Sequence, residues 1–98
     1  MGKLVEERIF IIKNKLGLHA RAANMVVQVA SNFVSTITVD KDGIKANAKS
    51  IMGLLLLAAG QGSKIVVRAQ GKDAKEAVAD IGKLIEDRFG EKEDVIRL

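Results

Sequence analysis

The chain has 98 residues, of which 48% are hydrophobic and 29% charged, with a formal net charge of +4. This balance predicts one folded domain over residues 1–98, with residues 91–98 as a charged tail. The absence of cysteine excludes disulfides and cysteine-ligated metal centres, and only three aromatic residues are available to stack on nucleic acid. The longest apolar run, residues 54–59, is too short to cross a bilayer, and the N-terminus turns acidic too early for a secretory signal. We therefore expect a cytoplasmic protein with no membrane insertion and no nucleic-acid partner.

The first third of the chain predicts a strand followed by a helix. Residues 6–12 end in a β-branched and aromatic run that is typical of a strand, and residues 13–18 form a polar connection. Residues 20–31 contain neither glycine nor proline, and apolar residues recur there at helical spacing. The residues that repeat at this spacing are Ala20, Ala23, Val27 and Ala30.

A hairpin is predicted in the middle of the chain. Residues 33–40 alternate between polar and apolar side chains, which indicates a half-buried strand. Asp42-Gly43 is a strong hairpin signal, so a short strand over residues 44–47 should return antiparallel to it.

The second half predicts a short helix, a strand and a long helix. Residues 50–58 are very apolar, and residues 64–70 contain a β-branched run. Asp73 with Glu76 three residues later forms a capping-box pattern, and Gly90 is the expected stop of the long helix. The inner stripe of that helix should consist of Ala74, Ala77, Val78, Ile81, Leu84 and Ile85.

The resulting element order is β-α-β-β-α-β-α with short connections. This order predicts the α+β class, in the form of an open-faced β-sandwich. A four-stranded antiparallel sheet should be covered on one face by three helices.

His19 is the single histidine, and it lies where the polar connection meets the first helix. The first N–H groups of a helix have no intrahelical acceptor, and the helix dipole adds positive potential there. That potential keeps an imidazole neutral, and a neutral imidazole is a nucleophile that can accept a phosphoryl group. Arg21 could add a charge-assisted hydrogen bond to such a group. Position alone also fits an ordinary helix-capping or loop histidine.

Two sequence blocks favour the phosphoryl-accepting interpretation of His19 over the ordinary capping or loop interpretation. The first is residues 16–23, LGLHARAA, and the second is residues 49–55, KSIMGLL. Both closely resemble the signatures of the HPr family, the histidine-containing phosphocarriers of the bacterial sugar phosphotransferase system. The separation of the blocks, the element order and the length also fit that family. Ala22 departs from the usual pattern, which has proline there; proline is favourable in a first helical turn, so we expect a small effect on rigidity.

The resemblance implies a covalent carrier rather than an enzyme with its own substrate. Enzyme I would phosphorylate His19 on Nδ1, and the group would pass to an EIIA-type domain. Arg21 and the backbone of Ala20 and Arg21 would contact the phosphoryl group. No cofactor and no metal are implied, and a carrier that visits several partners is most simply a monomer.

Ser50 has two interpretations. It is a good N-cap for the short helix, and the resemblance implies phosphorylation by a regulatory HPr kinase/phosphorylase. The two roles are compatible, because a phosphate at a helix N-terminus is favoured by the dipole. By the same resemblance, the residues expected on the exposed partner interface are Ala20, Arg21, Asn24, Gln28, Lys49, Ile51, Met52, Leu55 and Leu56.

Two other functions stay open at this point. One is an HPr-like adaptor of a regulatory branch, for nitrogen or carbon control, that acts by protein binding. The other is a small α+β module that binds nucleic acid, which the lack of aromatic residues argues against.

Overall fold

A computed structural model describes residues 4–92 of the protein. The elements are β1 (Val5–Ile11), α1 (Ala20–Ala30), β2 (Thr36–Lys41), β3 (Ile44–Asn47), α2 (Ile51–Leu56), β4 (Lys64–Gln70), α3 (Ala74–Glu86) and a final 3-10 turn, Arg88–Gly90. The predicted order and α+β class are confirmed. The predicted tail begins at Glu91, so residues 93–98 of that prediction lie outside the described part.

The four strands form one antiparallel sheet in the order β1-β4-β2-β3. Alternation decides which face is covered: Ile37 and Val39 of β2 are buried, whereas Thr36 is exposed and Thr38 half-buried. The same alternation in β4 buries Ile65 and Val67. The helices cover this apolar face, and the opposite face stays open, as predicted for an open-faced sandwich. No helix within residues 4–92 has the length and apolar character needed to span a membrane.

The face that α1 turns inward is not the full apolar repeat seen in the sequence. Within that repeat Ala20 is exposed and Val27 only half-buried. The repeat in the sequence and the set of residues that is buried are both apolar, and both follow helical spacing. The rotation of the helix therefore depends on its contacts with α2 and α3. The buried residues are Ala22, Ala23, Val26 and Ala30. In α3 the predicted stripe is confirmed except at Leu84, which is half-buried.

Asp73 precedes α3, but its carboxylate does not cap that helix. It accepts hydrogen bonds from the N–H groups of Val34 at 2.9 Å and Ser35 at 3.0 Å, and from the Ser35 hydroxyl. The predicted capping box is therefore wrong, because a tertiary set of donors competes successfully with the local one. The Ser35 hydroxyl, helped by the two backbone donors, outweighs burial and lowers the pKa of Asp73 below its ordinary value.

This carboxylate should make the stability of the protein depend on pH. Because the folded-state pKa of Asp73 is lowered, its contribution is present above the unfolded-state pKa of about 3.9 and is lost as pH falls through the lower folded-state value. Asp73→Asn should therefore unfold at lower urea concentration than the wild type at about neutral pH, and the difference should shrink below about pH 4. Asp87→Asn, at the other end of α3, is the control. The same pH dependence in both variants would contradict this assignment.

Candidate functional site

His19 occupies the N-cap position of α1, as the sequence predicts. Its backbone is extended (φ −80°, ψ −177°), and its carbonyl accepts the first helical hydrogen bond, from the N–H of Ala23 at 2.8 Å. The N–H groups of Ala20, Arg21 and Ala22 therefore have no intrahelical acceptor. The His19 side chain does not cap the helix itself, so these donors remain open to another group.

The loop before His19 is fixed by its backbone. The N–H of Leu18 donates to the carbonyl of Ala59 at 2.8 Å, which joins the loop to the connection between α2 and β4. Gly17 has a φ of +69°, and a Cβ added there would lie 2.5 Å from the same Ala59 oxygen. Only glycine satisfies both the left-handed backbone and this close approach. The position of His19 therefore depends on a glycine two residues earlier.

The side chain of Asn14 also holds this loop in place, a role that the sequence did not predict. Its side chain is fully buried, and its Nδ2 donates to the carbonyl of Gly17 at 2.8 Å. The N–H of Gly17 donates back to the carbonyl of Asn14 at 3.2 Å. Nothing in the sequence pattern distinguishes Asn14 from the other polar residues of the connection.

Glu91 lies against the His19 ring, which the sequence also did not predict. The Glu91 carboxylate accepts hydrogen bonds from Asn14 Nδ2 and from the N–H of Leu16, both at 3.2 Å. Its Oε2 is 3.9 Å from His19 Nε2. This distance is too long for a hydrogen bond but close enough for the carboxylate charge to act on the ring. Nε2 is itself buried and has no hydrogen-bond partner within residues 4–92. The ring is thus covered on its Nε2 side, although 26% of the side chain is exposed.

The environment of Glu91 favours its charged form. Burial by itself raises the pKa of this carboxyl, but hydrogen bonds from Asn14 and from two backbone N–H groups, with His19 nearby, outweigh burial. The pKa of Glu91 therefore lies below its ordinary value, and a negative charge faces the ring.

A left-handed turn after α3 brings Glu91 to this position. Arg88, Phe89 and Gly90 have φ values of 58°, 54° and 72°. The left-handed conformation costs roughly 1–2 kcal/mol for each of the two non-glycine residues. Phe89 is fully buried, and burial of such a side chain contributes about 1.5–3 kcal/mol, which offsets much of that cost. A phenylalanine placed after the end of an amphipathic helix is the one sequence signal that could have indicated this return to the core.

Arg21 is exposed at the start of α1, where the sequence places it. Its guanidinium contacts the Met25 sulfur, from Nη1 to Sδ at 3.7 Å. An exposed guanidinium at this position can turn toward an anion at His19. Residues 4–92 contain no group of three or more His, Cys, Asp or Glu side chains that could hold a metal ion.

Ser50 caps α2, in agreement with the prediction. Its Oγ accepts a hydrogen bond from the N–H of Gly53 at 3.0 Å. In the following helix Ile51, Met52 and Leu56 are exposed by 39%, 68% and 75%. A helix of six residues thus exposes three large apolar side chains.

Two residues expected on this interface are more constrained. Leu55 is half-buried and packs against the core, so its predicted exposure is wrong; it lies beside the fully buried Leu54. Lys49 is half-buried, and its Nζ donates to the carbonyl of Phe33 at 2.8 Å. The exposed members on α1 are as predicted: Ala20, Arg21, Asn24 and Gln28.

A family model described as "PTS HPr component phosphorylation site" matches residues 6–87. The chain belongs to the HPr family. A phosphocarrier protein HPr from Cupriavidus necator is 47% identical over 87 residues, which are 89% of this chain and 98% of the relative. An HPr-like protein Crh from Halalkalibacterium halodurans is 47% identical over 83 residues, 85% of this chain and 98% of the relative. The crystal structure of HPr-C-His from Thermoanaerobacter tengcongensis has a TM-score of 0.86 and 49% identity, and the match covers 89% of this chain and 98% of that one.

The contact between Gly17 and Ala59 can be tested by a matched pair of glycine variants. Gly17→Ala should lower the free energy of unfolding by more than the roughly 1–2 kcal/mol of a left-handed alanine, because its Cβ also meets the Ala59 carbonyl. Gly43→Ala is the control, since Gly43 also has a positive φ but nothing lies within 4 Å of an added Cβ. Equal losses in urea unfolding would contradict the close approach.

Proposed function

We propose that this protein is a cytoplasmic, monomeric phosphocarrier that accepts a phosphoryl group on His19 from phospho-enzyme I and passes it to EIIA-type domains. Membership of the HPr family supports this proposal. The observation that carries it is the position of His19 at the N-cap of α1, beside the exposed helix start at Ala20 and Arg21, whose N–H groups have no intrahelical acceptor.

The geometry favours Nδ1 as the accepting atom. Nε2 is buried on the side of Glu91, so an incoming phosphorus atom cannot reach it. The Nδ1 lone pair would attack phosphorus while the bond from phosphorus to the donor atom of phospho-enzyme I breaks, and its electron pair would stay with the donor. The proton stays on Nε2 throughout. Donation to an EIIA-type domain is the same displacement with Nδ1 as the leaving group.

The helix start would hold the transferred group without trapping it. The N–H groups of Ala20 and Arg21 and the helix dipole offer stabilisation to a dianion, and the exposed Arg21 guanidinium would add a charge-assisted hydrogen bond. These contacts are solvent-exposed and therefore modest. A carrier needs such a balance, because tight binding of the phosphorylated state would slow the next transfer.

Partners would dock on the surface around His19. The exposed apolar residues of α2 and the exposed residues of α1 form the proposed interface, with Leu55 and Lys49 contributing at its margin. A flexible methionine, Met52, suits a surface that must fit unlike partners in turn.

Labelling with phosphoenolpyruvate and enzyme I tests the carrier function. Intact-mass analysis should show one added phosphoryl group on the wild type and none on His19→Ala. Arg21→Ala should still be labelled, but more slowly than the wild type, whereas Arg68→Ala, on the open face of the sheet, should match the wild type. Labelling of His19→Ala at the wild-type rate would overturn the proposal.

We also propose Ser50 as a regulatory phosphorylation site for an HPr kinase/phosphorylase. Phosphorylation would place a dianion at the start of α2, where the dipole tolerates it, directly beside the exposed Ile51 and Met52. The helix would persist, while an apolar contact with a partner would weaken.

The two roles of Ser50 can be separated by substitution. Ser50→Ala should lower the free energy of unfolding by about 1 kcal/mol through loss of the cap, and should abolish labelling by ATP and the kinase. Ser50→Asp should keep most of the stability, because aspartate also caps, but should slow phosphoryl transfer from enzyme I. Kinase labelling that persists in Ser50→Ala would show that another residue is modified.

A second candidate is the regulatory adaptor, which acts by protein binding. The 47% identity to an HPr-like protein Crh and the exposed surface beside Ser50 favour it. His19, placed at an open helix start, favours the carrier instead. A wild type that the kinase labels at Ser50, but that phospho-enzyme I does not label at all, would decide for the adaptor.

A further inference from the structure

The segment after α3 is built to hold a carboxylate against the phosphoryl-accepting loop. Glu91 makes two hydrogen bonds to that loop, with Asn14 and Leu16, although more than seventy residues separate them in sequence. The Glu91 side chain is 14% exposed, which is low for a glutamate near a chain end. Lys13, at the start of the same loop, forms an ion pair with Glu86, the last residue of α3.

The turn that delivers Glu91 is maintained against its backbone preference. Arg88 and Phe89 are both left-handed, and the buried Phe89 ring anchors them in the core. Left-handed non-glycine residues persist only when the surrounding structure over-determines them. The carboxylate is thus placed by the fold and not by a freely moving tail.

The Glu91 carboxylate faces Nε2 of His19, the ring nitrogen that does not accept the phosphoryl group in the proposed function. Glu91 Oε2 faces His19 Nε2 at 3.9 Å, and Nε2 is buried with no hydrogen-bond partner within residues 4–92. A negative charge there favours a proton on Nε2 and hence a free lone pair on Nδ1. We propose that Glu91 is a positioning residue that fixes the tautomer of His19 for phosphoryl acceptance at Nδ1. This inference rests on the proposed carrier function and deepens it.

The same contact would assist the transfer itself. When Nδ1 forms its bond to phosphorus and the donor bond breaks, the ring gains positive charge while the proton stays on Nε2. The Glu91 carboxylate lies on the side where that proton sits, so it stabilises the charged ring more than the neutral one. The open helix start acts on the phosphoryl group, and Glu91 acts on the ring.

Glu91→Gln makes a sharp test, because a glutamine has one acceptor oxygen where the loop requires two. The backbone donors at Leu16 and Lys15 should take that oxygen, which turns the amide NH₂ toward Nε2 and removes the acceptor of the Asn14 Nδ2 hydrogen bond. An NH₂ group there favours a lone pair on Nε2 and the proton on Nδ1, so it inverts the preferred tautomer.

The ring ¹⁵N chemical shifts report the tautomer directly, and His19 is the only histidine, so the signals need no assignment. At a pH where the ring is neutral, the wild type and the control Glu76→Gln should carry the proton on Nε2. Glu91→Gln should shift toward the Nδ1-protonated form, and Glu91→Ala should give a mixture of the two. Amide spectra confirm the fold of each variant. Unchanged tautomer populations in both Glu91 variants would overturn the proposal.

Kinetics provide the second readout. Labelling by phospho-enzyme I should slow by roughly three- to tenfold in Glu91→Gln and Glu91→Ala, as expected for loss of one partly exposed charge, and should not change in Glu76→Gln. A shifted tautomer with no loss of rate would also overturn the positioning role. A wild type that is not labelled at all would instead refute the carrier function. The tautomer measurement would still show whether Glu91 sets the protonation of the His19 ring.

Discussion

The hydrogen bond from the Leu18 N–H to the Ala59 carbonyl fixes the loop on which the functional site depends. The two backbone segments lie so close together that a Cβ at position 17 would collide with the Ala59 carbonyl oxygen, so only glycine fits there. Because the loop is held there, His19 enters α1 with an extended backbone as its N-cap, and the first N–H groups of the helix stay open. Exposed apolar residues of α2 lie next to the segment that supplies the Ala59 carbonyl, so this backbone contact links His19 to the proposed docking surface.

The His19 ring lies between two opposite electrostatic environments. On one side are the open N–H groups and the dipole of α1, which favour the anionic phosphoryl group. On the other side is Glu91, whose pKa is lowered by its own hydrogen bonds and which faces Nε2, the nitrogen that would keep its proton in the proposed carrier. Such an arrangement distinguishes the two ring nitrogens, which the proposed carrier would need in order to accept and release the group through one atom.

Local patterns in the sequence were sufficient for the element order, for the strand alternation at Ile37 and Val39, and for the Ser50 cap, because neighbouring residues decide each of these features. Features decided by distant partners could not be predicted. The carboxylate of Asp73 binds donors 38 and 39 positions away in preference to its own helix. The rotation of α1 depends on the helices beside it, since two of its stripes are equally apolar. Glu91 reaches the site only through a left-handed turn whose strain no local pattern reveals.

In the proposed carrier the fold makes Nδ1 of His19, and not Nε2, the atom that carries the phosphoryl group. The most direct measurement is the ¹⁵N–³¹P coupling in protein with ¹⁵N-labelled histidine, recorded after incubation with enzyme I and phosphoenolpyruvate. The structure predicts one large coupling, to Nδ1, with the attached proton observed on Nε2. A phosphorus coupling to Nε2, or a phosphorylated protein in which neither ring nitrogen couples to phosphorus, would contradict the account.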